Sequence, residues 1–337
     1  MRRLAPQRFF FLLAAALPAA VLLSALVGSA AIPPAELFAA LRGGAGLAAA
    51  IFWEIRLPRI CLGLAVGALL AVSGAVLQGL FRNPLAEPST IGVTAGASVG
   101  AGLAIALGGP ALAHALWGLP WVAAGAFFGG LAATLLVYRL ATAEYGTSVA
   151  AMLLAGIAVT SLAGAFNGLL SYLVDDAALR RISLWQLGSL GGADWGRVAL
   201  AAAALAPFAC WWPRHGRSLN ALLLGESEAR HLGVAVEWVK ASAVLLAALG
   251  AGVAVAAAGT LAFVGLVVPH LVRLLIGPDH RFLLPGAALG GALLLVLADA
   301  VARVVLAPVE LPVGVVTALL GAPFFLVLLR RQRRSLP

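Results

Sequence analysis

Gly96-Ala97-Ser98-Val99-Gly100 has the spacing of a nucleophile elbow, G-x-S-x-G. That chemistry needs a strand-turn-helix and a histidine to take the serine proton. The flanks of Ser98 are helix-length apolar runs and supply neither, so a catalytic serine is not expected. The five histidines, His114, His215, His231, His270 and His280, are scattered. No two stand four apart, the spacing that turns a pair toward one metal on a helix face. His270 follows Pro269 and reads as a structural hydrogen-bonding group. Cys61 and Cys210 each lie inside an apolar run without metal spacing. Two buried thiols are expected rather than a disulfide. No metal site, no cofactor and no catalytic residue is therefore expected.

A phosphate loop needs a lysine directly after glycine. The one lysine of this chain, Lys240, follows Val239. If ATP drives anything here, another polypeptide must hydrolyse it. Gln78, Arg82, Asn83, Asp299 and Arg303 fall within or beside apolar runs. Such groups are costly in lipid and must face protein or water. Asp299 would be the coupling acid of an ion-gradient carrier, but it falls near the outer end of its run. Pro84 and Pro88 interrupt the chain, and Ser89 or Thr90 can cap the next helix. Arg82-Asn83-Pro84-Leu85 reads equally as a constriction or a plain turn.

The elements that would hold these residues follow from composition. Of 337 residues, 63% are hydrophobic and 10% charged, against about 25% charged in soluble domains. Only helices and closed barrels satisfy their backbone in lipid. The apolar runs are helix-length, so an all-α polytopic membrane protein is expected. Ten spans are predicted, over 9–30, 60–80, 89–108, 119–140, 148–174, 196–213, 240–258, 260–277, 285–305 and 312–330. Arg2, Arg3 and Arg8 before the first run imitate a signal peptide, with Gly28-Ser29-Ala30 as a cleavage site. The run is long for that, and an uncleaved first span is expected.

Ten spans place both termini on one side. Fifteen of the 22 arginines and lysines fall on that side, including Arg82, Arg139, Arg230 and Lys240. The other side carries Arg42, Arg56, Arg59, Arg180, Arg181, Arg197 and Arg303. The asymmetry predicts cytoplasmic termini. The net charge of +9 is thus a topology signal. No basic stripe with interleaved aromatics marks a nucleic-acid partner.

The longest polar interruption, about 214–239, is on the cytoplasmic side. It is read as one or two short helices outside the bilayer, either a solvated loop or a docking surface for a soluble partner. On the outer side, 179–185 reads as an interfacial helix, with Trp185 and Trp195 at headgroup depth. Gly92, Gly96 and Gly100 stand four apart, as do Gly63 and Gly67, Gly125 and Gly129, and Gly286 and Gly290. Small residues at that spacing predict closely packed helices.

The run from Leu69 to Gly96, with Gln78, Arg82-Asn83-Pro84-Leu85-Ala86-Glu87-Pro88 and Gly92, resembles the signature of the FecCD permease family. These are the type II ATP-binding-cassette importers of siderophores, haem and cobalamin. Arg56-Leu57-Pro58-Arg59, Phe263 through His270, Asp279-His280-Arg281, Ala298-Asp299, Ala302-Arg303, Glu310-Leu311-Pro312 and Gly321-Ala322-Pro323 extend the resemblance over about 50–330. It implies a single permease domain over 1–337, a homodimer with the path at its axis, and a bacterial inner-membrane location. The implied partners are two cytoplasmic ATP-binding subunits, a periplasmic binding protein and membrane lipid. Arg56, Arg59 and Arg303 correspond to the family's docking arginines. Asn83, Leu85, Thr147 and Ser148 correspond to its cytoplasmic gate. Leu224, Gly225, Glu226, Ala229, Leu232 and Gly233 correspond to its ATPase-coupling segment. Residues 154–195 look most like haem permeases, with a ferric siderophore or cobalamin as the alternative cargo.

Overall fold

A computed structural model describes residues 3–28, 32–108, 121–144 and 146–333. Arg2, the Ser29-Ala30 bond, His114 and Arg334 lie outside them. Fourteen α-helices are seen among the described residues. α1 is Pro6–Leu26, α2 Pro34–Leu41 and α3 Leu47–Ala50. A π-helical stretch, Ile51–Arg56, runs into α4, Leu57–Leu80. α5 is Val93–Leu107, α6 Trp121–Ala141 and α7 Val149–Leu173. α8 is Asp176–Gln186, α9 Trp195–Leu222 and α10 Glu226–His231. α11 is Val236–Ala258, α12 Val264–Ile276, α13 His280–Ala302 and α14 Val313–Arg333. β1, Thr142–Ala143, pairs antiparallel with β2, Gly146–Thr147.

Six helices are long and apolar enough to cross a membrane: α1, the continuous helix ending in α4, α6, α7, α11 and α13. α5, α12 and the first part of α14 are shorter apolar helices. α9 carries Arg214, His215 and Arg217 in its last turns, which dilutes its hydropathy. Each of these ten elements overlaps one predicted span. The largest difference is at α9. Residues 214–222, expected as polar loop, continue the helix, so one short helix, α10, stands where one or two were expected.

α4 forms the axis of the bundle. It is apolar on every side and buried along nearly its whole length, as a helix of that pattern must be. Glycine brings its neighbours to backbone contact. A Cβ on Gly67 would stand 2.2 Å from the Gly291 carbonyl of α13, and one on Gly74 would overlap Gly265. α5 and α6 meet the same way through Gly96 with Gly129 and Gly100 with Gly125. The glycine spacing predicted close packing of both helices, and the fold pairs them with each other. It did not predict Gly291, because Gly286 and Gly290 face the Val272 and Val268 side chains instead.

Helix starts follow from capping residues. Ser148, Asp175, Asp194 and Asp279 each accept an N–H from the first turn of α7, α8, α9 and α13, satisfying a donor the helix leaves open. Both cysteines are free. Cys61 is half-buried, but Cys210 is exposed. It lies on the face of α9 turned away from the bundle, correcting the expectation of two buried thiols.

Candidate functional site

Three predicted groups of residues gather at two ends of the bundle. At one end lie the turn after α4, the β1–β2 hairpin and α10. Asn83 stays in its turn because its Oδ1 accepts the Leu85 N–H at 2.9 Å, an Asx turn that Pro84 favours. Arg82 adopts φ 51°, a left-handed conformation uncommon outside glycine. Glu87 comes next, and Ser89 Oγ donates to its carboxylate at 2.5 Å. Burial pushes the Glu87 carboxyl above its usual range, and the Ser89 hydrogen bond opposes that only in part.

Thr147 sits in β2 opposite Thr142. Its Oγ1 lies 3.0 Å from Thr142 Oγ1. Ser148 is the N-cap of α7. The hairpin therefore fixes where α7 begins.

The 224–233 segment folds as α10 between two glycines at φ 128° (Gly225) and φ 80° (Gly233). Only glycine adopts such angles without strain. Leu224 and Leu232 flank the helix and are exposed. Ala229 is fully buried, so it seats α10 on the bundle and offers nothing to a partner. Arg82 Nη1 stands 4.0 Å from where a Cβ on Gly225 would be. The coupling candidates thus abut the candidate gate turn directly.

Lys240 and Glu237 join this end, and sequence reasoning missed both. Lys240 served there to exclude a phosphate loop and as one of the cytoplasmic charges. In the fold it is 4% exposed and reaches Glu226, Glu237 and the Thr147 carbonyl. Nearby, Asn220 binds Asp279 at 2.7 Å and also faces His280 Nδ1 at 2.8 Å. Hydrogen bonds from Arg281 and then Asn220 hold the Asp279 carboxyl well below the usual carboxylate range, against the opposing effect of burial.

Arg56, Arg59 and Arg303 come together at the opposite end, with side chains turned inward. They are 5%, 7% and 3% exposed. Arg59 pairs with Asp299 at 2.9 Å and Glu310 at 2.7 Å. Arg303 pairs with Asp299 at 3.1 Å and donates to Ser24 and Val27 carbonyls. Arg56 donates to the Ala25 carbonyl. Two guanidinium groups thereby satisfy the open carbonyls at the end of α1. Glu310 is the partly exposed member of the cluster. Asp299 is the acceptor shared by two arginines of this cluster.

A groove of about 860 Å³ runs between α5 and α7. Thr90, Thr94, Ser98, Thr160, Ser161 and Asn167 line it, together with Gln186 and Thr260 near one end. Ser98 Oγ donates to the Ala95 carbonyl and accepts from Asn167 Nδ2 at 2.7 Å. It belongs to a mid-helix hydroxyl wall, with an amide where an elbow would hold a histidine. The signal for this wall was in the sequence: Thr160, Gly164 and Asn167 recur at helical spacing. Much of α7 is exposed in the single chain, including Leu154, Ile157, Leu169 and Tyr172. Among the described residues no three His, Cys, Asp or Glu side chains converge as a metal site.

The sequence profile of the FecCD transport family matches residues 16–331. The hemin transport system permease HmuU of Yersinia pestis is 48% identical over 85% of this chain and 84% of its own. The vitamin B12 import permease BtuC of Escherichia coli O9:H4 is 47% identical over 84% of both. The cobalamin import permease BtuC of Halobacterium salinarum is 46% identical over 86% of this chain and 76% of its own. Among solved structures, an inward-facing metal-chelate type transporter of the ATP-binding-cassette class superposes with a TM-score of 0.80 at 32% identity. That match covers 97% of this chain and 99% of the other.

Proposed function

We propose, since this chain belongs to the FecCD transport family, that it is the permease subunit of a haem importer driven by ATP. Its family makes it a multi-pass transport permease, and its relatives are subunits rather than enzymes. The finer reading is the cargo, the partners and the orientation. Two copies would pair through the exposed apolar face of α7, placing their grooves along a shared path. Two separate ATP-binding subunits would seat against α10, since the chain's one lysine cannot complete a phosphate loop. A periplasmic binding protein would deliver cargo at the end that carries Glu310. Surrounding lipid would cover the remaining apolar helices of an inner-membrane protein with cytoplasmic termini.

The observation that carries this reading is the groove. Its wall mixes hydroxyls, amides and small residues with the apolar Leu153 and Ile157, and no charged side chain is among its lining. Such a wall binds a large planar or corrin ligand weakly through many small contacts. Weak binding lets cargo leave as readily as it enters. The buried arginine cluster would shape the receiving surface by fixing the ends of α1, α4 and α13. Docking by those guanidiniums themselves would require them to leave internal partners.

Cobalamin is the second reading, favoured by relatives only about as distant as the hemin permease. Proteoliposomes holding the permease and its ATPase, supplied with the cognate binding protein, decide between them. Hemin uptake should be competed by hemin and not by excess cobalamin or ferric siderophore. Competition by cobalamin alone would reassign the cargo.

A further inference from the structure

A lysine ammonium in a site from which water is excluded must replace its hydration with fixed partners. Lys240, at 4% exposure, does so with three acceptors, one for each N–H it can donate. Glu226 Oε2 lies at 2.6 Å, the Thr147 carbonyl at 2.9 Å and Glu237 Oε1 at 3.2 Å. These acceptors come from three elements: α10, the β1–β2 hairpin and the first turn of α11. Glu237 closes the circuit, because its Oε2 accepts the Thr147 N–H at 3.2 Å. The peptide units on both sides of Thr147 are therefore held by one charge cluster. Arg230 of α10 adds a second link, 3.0 Å from Glu237 Oε1. A Cβ on Gly146 would stand 2.8 Å from that same oxygen, so the hairpin backbone is pressed against the cluster.

An ordinary anchor would tie the start of α11 to one neighbour. Lys240 instead bridges the two segments whose relative position matters, the candidate coupling helix and the candidate gate. We propose that Lys240 is a positioning residue that transmits displacement of α10 to the hairpin, and through the Ser148 cap to the start of α7. This rests on the reading that the Gly225–Gly233 segment seats on the ATPase. Charge-assisted hydrogen bonds carry such a displacement well, being short and directional, and the buried ammonium limits their screening although Glu226 and Glu237 are partly exposed. A lysine stem also lets α10 and the hairpin shift together without the ion pair breaking.

The test uses the full permease with its ATPase in nanodiscs. Cys61 and Cys210 are replaced by serine, and spin labels are placed at Ala143 and Arg281. Lys240→Met and Glu237→Gln are compared with the parent, with and without nucleotide trapping. Contact of α10 with the ATPase is read separately, by cross-linking from a cysteine at Leu232. In the parent, trapping should displace the hairpin. In both variants the cross-link should persist while the displaced population falls at least about five-fold, the low end of ordinary coupling factors. Variants that lose thermal stability but keep the displacement would make Lys240 a plain anchor and overturn the proposal. A seated ATPase with an unmoved parental hairpin would do the same. Absence of the cross-link in the parent would overturn the ATPase-seat reading itself. Should Lys240→Met fail to fold, the half-exposed Glu237→Gln decides the outcome alone.

Discussion

Arg59 grips Asp299 at two points, with Nε 3.0 Å and Nη2 2.9 Å from Oδ1, and both side chains almost wholly buried. Two hundred and forty residues separate them in the chain, so the pair joins the start of α4 to the end of α13. Arg303 completes it from the second carboxylate oxygen.

Removing the shared acid leaves Arg303 buried without its counter-charge and Arg59 with only the partly exposed Glu310. Breaking a buried pair in this way costs about 3–5 kcal/mol. Asp299→Ala should therefore lower the thermal midpoint in detergent sharply, and more than Glu310→Gln, which leaves the Arg59–Asp299 pair intact. Equal and small effects of the two changes would assign the cluster to solvent-screened surface charge.

The crossing of α4 and α13 depends on the absence of side chains at one point. Gly67→Ala places a methyl group 2.2 Å from the Gly291 carbonyl, and one backbone must move. Overpacking of this kind costs about 1–3 kcal/mol or more. Gly252→Ala adds only an ordinary contact, 3.5 Å from Phe127, and should be nearly neutral by the same thermal measurement.

Glu87 gives the candidate gate turn a pH dependence of known sign. Its carboxyl is raised in the fold by burial, so the folded state holds the proton more tightly than the unfolded one. The resulting stability is full below about pH 4.3, the unperturbed glutamate value. It is lost as pH rises through the folded value. Glu87→Gln keeps an acceptor for Ser89 and should raise the midpoint at pH 7–8, with the gain shrinking toward pH 4. A gain that grew on acidification would contradict the assignment.

The Asn83–Leu85 hydrogen bond should matter to tightness more than to fold. Its loss is worth about 1 kcal/mol, or roughly five-fold in the population of a loosened turn. Asn83→Ala should raise leak of hemin from loaded liposomes without ATP, whereas a serine-reactive probe should not label Ser98. Equal leak in Asn83→Ala and parent would detach this turn from gating.

The path from sequence to these sites was uneven for physical reasons. The ten helices that overlap the predicted runs were legible because lipid demands long apolar helices, and α9 was cut short because its polar last turns look like loop. Close packing of α5 and of α6 was visible in the four-residue glycine spacing, since both helices carry it. The Gly67–Gly291 contact was not, because the partner glycine lies off that spacing. Lys240 was invisible as a bridge. Its three acceptors lie 3, 14 and 93 residues away, and one is a backbone carbonyl that no side-chain pattern records. Burial of Arg56, Arg59 and Arg303 was likewise hidden, because counting charges places a residue at an end of the bundle without saying which way it points.

The central claim is that this chain is a gate whose work is done by a partner's ATP hydrolysis. The most direct measurement is hemin uptake into proteoliposomes that hold the permease with its delivery face outward, supplied with the binding protein and with either an active ATPase or one unable to hydrolyse ATP. Uptake should require ATP and fall to the passive background with the inactive ATPase. Uptake that continued unchanged with the inactive ATPase would contradict the account.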